Sequence, residues 1–284
     1  MVGDLIARAS AAYSDPLFLP FLVGGTLVSA GAFLLLAIPL TWLAWRAPVS
    51  LERYRIQARR PSDPGRMVRE GLRAVAVNHA WMAAWVSVNW PLLQSLDRIH
   101  AGPRPAWPVV VLQLIVLFYL HDLLYHFFHR ALHEQPWMWK NVHRLHHRIG
   151  TPWSIAGYDF HPIEFCLSGS VTLAGPLLLG VHVHVLWLRI ALRAFDAAEG
   201  HSGYNLPLSP LYWLPGADGP RAHDAHHSTG TGNFASYLGW SDRLFGTLSR
   251  GYQPGRSLPP RGGAQGGAPD AAPVTSASDN TTGL

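Results

Sequence analysis

Histidines at spacings of three and four residues form three groups in the middle of the chain. The groups are His129 with His133, then His143, His146 and His147, then His223, His226 and His227. Of the 16 histidines in the chain, 14 lie between positions 121 and 227. Residues three and four apart share one face of a helix, so the members of each group are expected to converge. Each group is therefore predicted to form half of a metal-binding shell.

The cysteine content restricts the kind of metal site. Cys166 is the single cysteine, which excludes an internal disulfide and any cysteine-based zinc or iron–sulfur site. Eight imidazoles exceed the four ligands of one tetrahedral zinc, so we expect two metals. Neutral imidazole suits iron, zinc, copper and nickel alike, so the ligand type does not choose among them.

Apolar helices must position these histidines, because 49% of the residues are hydrophobic and only 14% are charged. The uncharged run 17–45 exceeds the roughly 20 residues that cross a bilayer as a helix. It lacks a basic start and ends at Trp42 and Trp45, which distinguishes it from a cleaved signal peptide. The runs 74–96 and 107–128 predict a second and a third span, joined by a short turn over 97–106.

The distribution of arginines predicts the orientation of the spans. Eight arginines lie between Arg46 and Arg73, which places this loop in the cytoplasm and the N-terminus outside. The hairpin 74–128 then returns His129 to the cytoplasmic face. These arginines also account for the net charge of +5, so no nucleic-acid partner is expected.

A second apolar hairpin separates the last two histidine groups. Its arms, 165–180 and 183–194, are predicted to turn around Gly175, Pro176 and Gly180. Each arm is short for a full crossing, so we expect the hairpin to be re-entrant or buried against other helices. It begins and ends on the cytoplasmic face, and all histidine groups therefore meet in one compartment.

The location of the metals favours one class of chemistry. Two nitrogen-bound metals at a membrane surface, open to a bilayer-dissolved substrate, fit oxygen activation on an apolar lipid. Hydrolysis fits less well, because the sequence has no Gly-x-Ser-x-Gly motif, and it also lacks a phosphate loop and a dinucleotide fingerprint.

The motifs between Asp122 and Thr247 resemble the fatty acid hydroxylase/sterol desaturase superfamily of integral-membrane diiron oxygenases. The resemblance is carried by Asp122, His129-Arg130-x-x-His133, both His-x-x-His-His groups, His161-Pro162-x-Glu164, Glu199-x-His201-Ser202-Gly203-Tyr204-Asn205 and the ending 232–247. The last two stretches are similar to C4-methylsterol oxidases and cholesterol 25-hydroxylase.

The resemblance implies a cofactor, a substrate and a partner. His201 would supply a ninth ligand, both metals would be iron, and the substrate would be a sterol or a similarly rigid lipid. Dioxygen would hydroxylate an unactivated C–H bond, with electrons from a cytochrome b5, a ferredoxin or a reductase. Asp122, Asp224 and His161 are candidates for orienting the ligand imidazoles through their outer nitrogens.

We therefore predict an all-α, multi-pass membrane helix bundle with a cytoplasmic helical cap that carries the histidine groups. An N-terminal segment (1–16) precedes the transmembrane helices and basic loop (17–106). A fatty acid hydroxylase-like catalytic domain (107–250) and a disordered tail (251–284) follow.

Two other functions stay open. The same scaffold could desaturate a lipid, because hydrogen abstraction is common to both reactions. A non-enzymatic metal-binding or metal-transport protein is the second alternative, although transport should place polar residues along several spans. His79, His100, His182 and His184 lie at mid-span or on the far side, and we expect them to have structural roles.

Overall fold

A computed structural model describes residues 10–56, 63–150, 153–207 and 209–254. The part of the predicted disordered tail from 255 onward lies outside the described residues, as do residues 1–9 of the N-terminal segment and 57–62 of the basic loop.

Helices make up almost all of the regular structure in these residues, and the predicted all-α class is confirmed. The helices are α1 (Gly25–Arg46), α2 (Pro64–Ser95), α3 (Trp107–Glu134), α4 (Pro136–Asn141), α5 (Pro162–Leu179), α6 (Val183–Gly200), α7 (Gly219–Thr229) and α8 (Trp240–Phe245). A π-helical turn (Pro20–Gly24) leads into α1, and 3-10 turns cover Val49–Tyr54, His143–Arg148, Ser154–Tyr158 and Pro210–Trp213. The strands β1 (Ile99–His100) and β2 (Val181–His182) form one short parallel pair.

Within the described residues, three helical stretches are long and apolar enough to cross a membrane: Pro20–Arg46, Trp107–Glu134 and Pro162–Leu179. Their outer surfaces carry large exposed apolar side chains, such as Leu35 at 81% exposure. Water would penalise such a surface, whereas hydrocarbon accommodates it. The chain is therefore a membrane protein.

All but the last residue of the predicted span 74–96 belong to α2, which is not among those three stretches. Polar residues lower its hydropathy, and two of them, Asn78 and His79, are buried. Asn78, for example, donates hydrogen bonds to the backbone oxygens of Tyr158 and Phe160 at 3.0 and 3.1 Å. The helix begins at Pro64, ten residues before the apolar run, because the Asp63 side chain accepts the free N–H of Arg66 at 2.9 Å.

The predicted turn at Gly175 and Pro176 is wrong, because α5 continues through both residues to Leu179. The helix ends only at Gly180, whose positive φ of 68° suits glycine. Gly175 serves helix packing instead, since a Cβ there would lie 2.9 Å from Leu117 of α3. With its start at Pro162, α5 is also long enough to span a membrane, contrary to the prediction of a short arm.

The two ends of the bundle are joined by different contacts. At one end, Arg148 bridges Asp159 and Glu70 at 2.7 and 3.2 Å, linking the histidine-bearing turn to the start of α2. At the other, Arg98 donates to the backbone oxygens of Leu177 and Leu178. We call the first the cap end, because the turns that carry the later histidines gather there.

Candidate metal centre

Nine buried or half-buried histidines gather into two clusters at the cap end. Cluster A comprises His129, His133, His143, His147 and His226, and cluster B comprises His146, His201, His223 and His227. Within each cluster, one ring nitrogen of every member lies within 4.8 Å of those of all the others. The structure thus brings together all nine residues that the sequence nominates as ligands.

The prediction that each sequence group forms half a shell for one metal is wrong for the second and third groups. On α7, His223 and His227 face cluster B whereas His226 faces cluster A. Consecutive residues of a helix are rotated by about 100°, so neighbours such as His226 and His227 cannot point at one centre. The 3-10 turn His143–Arg148 divides its histidines in the same way, with His146 alone in cluster B.

The inner nitrogens of each cluster are close to one another. In cluster A, His143 Nε2 lies 3.2 Å from His129 Nε2, 2.9 Å from His133 Nε2 and 3.0 Å from His147 Nε2. In cluster B, His223 Nε2 lies 3.0 Å from His201 Nε2 and 3.1 Å from His227 Nε2.

The outer nitrogens of cluster A determine which tautomer is present. His129 Nδ1 donates to the backbone oxygen of Phe234 at 3.0 Å, and His143 Nδ1 donates to the Glu164 carboxylate at 2.7 Å. The Phe234 carbonyl only accepts, and the Glu164 carboxylate accepts in its ionised form, so in that state the protons reside on Nδ1 and both Nε2 atoms carry lone pairs. The 3.2 Å contact between the two Nε2 atoms therefore joins lone pair to lone pair. A cation between them would turn this repulsion into ligation, so the residues fit a metal.

Protonation does not compete with metal binding in these clusters at neutral pH. Burial, together with the neighbouring His226 ring, lowers the pKa of His147 to about 2. Burial also lowers the pKa of His201 and of His226 to about 4. Since metals bind the neutral ring, the histidines are in the form that coordinates.

The three residues nominated for orienting imidazoles have different positions. Within the described residues, Asp122 does not orient an imidazole. It accepts the backbone N–H of Leu238 at 3.0 Å and the hydroxyl of Ser241 at 2.9 Å, and these bonds anchor the loop before α8. His161 directly precedes α5 as its N-cap, where its Nδ1 accepts the N–H of Ile163. It belongs to neither of the two clusters found among the described residues. Asp224 is buried on α7 beside His223, and an orienting role for it stays a prediction.

Glu164 is a carboxylate that contacts a clustered imidazole directly. Its side chain is 1% exposed, that of His143 is fully buried, and the two are 2.7 Å apart. Sequence reasoning treated Glu164 as part of the resemblance but did not favour it as an orienting residue. The available signal was its position in the first turn of α5, close in sequence to the cap.

A second carboxylate, that of Asp242, supports cluster A indirectly. Asp242 accepts the backbone N–H groups of Phe234 and Ala235, both at 2.8 Å. It thereby holds the loop in which the Phe234 oxygen accepts the hydrogen bond from His129 Nδ1. His126 Nδ1 lies 3.3 Å from Asp242. His126 therefore lies beside the loop that supports cluster A and is not a member of the cluster.

A largely apolar cavity of about 260 Å³ lies among α1, α2, α5 and α6. Phe160 and Arg193 line both this cavity and a small void that reaches His201 and His223. The Phe160 ring also stacks on His146, with centroids 4.3 Å apart and planes at 27°. Cluster B is therefore the cluster next to the cavity.

Comparison with known proteins gives two kinds of match. The model of the fatty acid hydroxylase family matches residues 114–247. Methylsterol monooxygenase 2-2 of Arabidopsis thaliana is 32% identical over 246 residues, which are 84% of this chain and 90% of that protein. A very-long-chain aldehyde decarbonylase of Oryza sativa subsp. indica is 35% identical over 198 residues, 69% of this chain and 74% of that protein. No solved structure matches the chain.

Proposed function

Because the chain belongs to the fatty acid hydroxylase/sterol desaturase superfamily, we propose that it is a membrane-bound diiron oxygenase. It hydroxylates an unactivated C–H bond of a sterol or related lipid, using dioxygen and external electrons. The family and the relatives support a lipid-acting oxidoreductase, and the detailed reaction is our proposal.

The contact between the unprotonated Nε2 atoms of His129 and His143 carries this proposal. Nitrogens about 2.1 Å from one metal at right angles are about 3.0 Å apart, whereas tetrahedral angles separate them by about 3.4 Å. Two of the distances from His143 Nε2, 2.9 and 3.0 Å, are closer to the right-angle value, and the third, 3.2 Å, lies midway between the two values. This favours iron over tetrahedral zinc. When bound, the two irons supply the activation of dioxygen.

The chain's own residues bind the lipid and exclude water. The cavity is bounded by helices of the membrane bundle, so a lipid enters laterally from the bilayer. Phe160 separates the cavity from His146 and directs the substrate toward cluster B. Glu164 keeps the proton on His143 Nδ1 and thereby keeps its Nε2 available to a metal.

Electron delivery requires a partner, because the sequence shows no haem, flavin or nicotinamide site. A cytochrome b5, a ferredoxin or a reductase would dock at the cap end, where Lys140 and Arg144 are exposed. The arginines between Arg46 and Arg73 favour a multi-pass topology with this end in the cytoplasm. Labelling of cysteines introduced at Gly102 and Gly219 should find Gly102 external and Gly219 cytoplasmic.

Mass spectrometry of lipids from cells with and without the protein, grown under labelled dioxygen, tests the function. We expect one labelled oxygen atom in an alcohol that appears only with the protein. Elemental analysis of the purified protein should find about two irons per chain. A product two hydrogens lighter without added oxygen would identify a desaturase instead. A single tightly held zinc, with no effect of iron on activity, would contradict the diiron assignment.

A further inference from the structure

Three polar side chains from separate elements meet at the wall of the cavity. Ser29 of α1 lies with its Oγ 3.0 Å from His79 Nε2 of α2 and 3.3 Å from the Tyr158 hydroxyl of the 3-10 turn. All three residues line the cavity. We call them the hydroxyl relay.

The direction of the hydrogen bonds in the hydroxyl relay follows from its last member. His79 Nδ1 lies 2.8 Å from the backbone oxygen of Val75, which only accepts, so this nitrogen carries the proton. His79 Nε2 therefore accepts the Ser29 hydroxyl. The Ser29 oxygen in turn accepts the Tyr158 hydroxyl, and every donor of the relay is consumed within it.

The Tyr158 oxygen consequently offers lone pairs and no proton to the cavity. An alcohol can donate its O–H to this oxygen. A ketone or an aldehyde only accepts, and it would have to draw the Tyr158 proton away from Ser29. The relay therefore discriminates by hydrogen-bond polarity, and unpaired polar groups in an apolar cavity make such discrimination effective.

Among the described residues that line the cavity, Tyr158 is the polar group on the segment that leads to Phe160 and cluster B, whereas Asn89, Ser168 and three further hydroxyls lie on the helices. The hydroxyls of Thr26, Ser170 and Thr172 donate to backbone oxygens of their own helices. Arg193 is already paired with Asp196 at 3.1 Å, so it is not a free partner for a carboxylate. A neutral alcohol therefore suits the polar end better than an ionised fatty acid.

The position of the relay orients a bound lipid. Tyr158 and Phe160 are two residues apart, and Phe160 stacks on His146 of cluster B. From His79 to Leu93, the residues of α2 that line the cavity extend over roughly 20 Å away from the cap. A lipid whose hydroxyl binds at the relay therefore places that end beside the metal ligands and its apolar remainder along α2.

We propose that Ser29, His79 and Tyr158 form a hydroxyl-accepting subsite that selects a lipid alcohol and holds its hydroxyl-bearing end next to cluster B. This inference rests on the proposed function for the identity of the reaction, but the binding preference itself does not require turnover.

Competition binding on the purified, iron-loaded protein tests the subsite. Tritiated cholestanol is displaced by cholestanol, cholestanone or cholestane, which carry a hydroxyl, a ketone or hydrogen at one carbon. A parallel series uses octadecanol, octadecanal and octadecane against tritiated octadecanol. In at least one series the alcohol should bind about five- to tenfold more tightly than its hydrocarbon and its carbonyl analogue, the effect of one hydrogen bond.

Two variants distinguish hydrogen bonding by the relay from general packing of the lipid in the cavity. Tyr158→Phe should reduce the preference for the alcohol over the hydrocarbon to within about twofold while its ring still stacks on Phe33. Ser29→Ala removes the acceptor of the Tyr158 proton, so the carbonyl analogue should bind more tightly than it does to the unmodified protein. Tyr119→Phe makes the same chemical change outside the cavity, where that hydroxyl donates to Pro215, and should leave all preferences unaltered.

The outcomes distinguish this inference from the proposed function. Equal binding of alcohol and hydrocarbon in both series, or an unchanged preference in Tyr158→Phe, would overturn the subsite even if labelled oxygen is incorporated. A clear alcohol preference without any oxygen incorporation would support the subsite and reject the oxygenase.

Discussion

Clusters A and B are built from the same side chain but are held in place differently. In cluster A, the outer nitrogens of His129, His143 and His226 donate to Phe234, Glu164 and Gly232, at 3.0, 2.7 and 2.7 Å. In cluster B, His201 Nδ1 donates to the backbone oxygen of Ala197 at 2.8 Å. The outer nitrogens of the remaining members, His146, His223 and His227, are buried without a hydrogen-bond partner in the described part of the chain.

The two clusters also differ in how far their surroundings are exposed. His133 and His147 of cluster A are half-buried and contact the ring of Trp139, which is itself partly exposed at the cap surface. Cluster B is enclosed and adjoins the lipid cavity through Phe160. Hydrogen bonds therefore orient cluster A before any metal binds, whereas packing and the metal itself must orient cluster B.

Removing one ligand from each cluster should have the largest effect. We expect His226→Ala and His146→Ala each to abolish turnover and to lower the iron content from about two to about one per chain, because each removes a ligand from one cluster. Iron analysis and product formation measure this, and membrane insertion should persist because the spans do not contain these residues. His184→Ala, at the far end beside His182, is the matched control. Loss of both irons in either variant would show that the clusters are not separate sites.

A methyl group at Gly157 should disturb cluster B selectively. A Cβ there would lie 2.7 Å from the Ala197 oxygen and 3.1 Å from His201 Nδ1, so the acceptor of His201 has to move. Overpacking of this kind costs about 1–3 kcal/mol. We expect Gly157→Ala to bind iron about tenfold more weakly in the His226→Ala background, in which cluster B alone is complete. Gly102→Ala meets no atom within 4 Å and should change nothing. Unaltered iron binding by Gly157→Ala would contradict a cluster oriented by packing.

Replacement of Glu164 should disturb cluster A selectively. Gln keeps the size of the side chain but removes the negative charge of the group that accepts the hydrogen bond from His143 Nδ1. Loss of such a partner typically weakens metal binding by about tenfold to a hundredfold, and the retained amide oxygen places Glu164→Gln at the lower end. Iron titration in the His146→Ala background isolates cluster A, and the same titration in the His226→Ala background should show no change. Equal weakening of both clusters would mean that Glu164 acts on the whole cap.

The ligands were accessible from the sequence because spacing and residue type are local properties. Eight histidines follow from their three- and four-residue spacing, and His201 from the motif that surrounds it. The helices were accessible for the same reason, since long apolar runs are local signals, although the apolar run did not include the first ten residues of α2, which begins at Pro64.

The assignment of ligands to clusters depends on long-range packing, which spacing does not contain. Whether His146 joins His143 or His201 depends on a 3-10 turn and on where α6 ends. Glu164 reaches His143 only because the start of α5 packs against that turn. Gly175 illustrates the same limit, because a glycine that permits close helix packing has the same local signature as a glycine in a turn.

The smallest expected effect concerns Asp122, which belongs to neither cluster. It accepts Leu238 N–H and the Ser241 hydroxyl, so it stabilises the loop before α8 without touching an imidazole. Asp122→Asn retains a carbonyl oxygen for the N–H group but replaces the oxygen that accepts the Ser241 hydroxyl by an NH2 group, which should lower the free energy of unfolding by about 1 kcal/mol. Iron titrations in the His146→Ala and His226→Ala backgrounds should both stay within about twofold, and thermal unfolding in detergent measures the stability change. A tenfold loss at cluster A alone would mean that the loop transmits the substitution through Phe234 to His129, so that cluster A depends on packing as cluster B does.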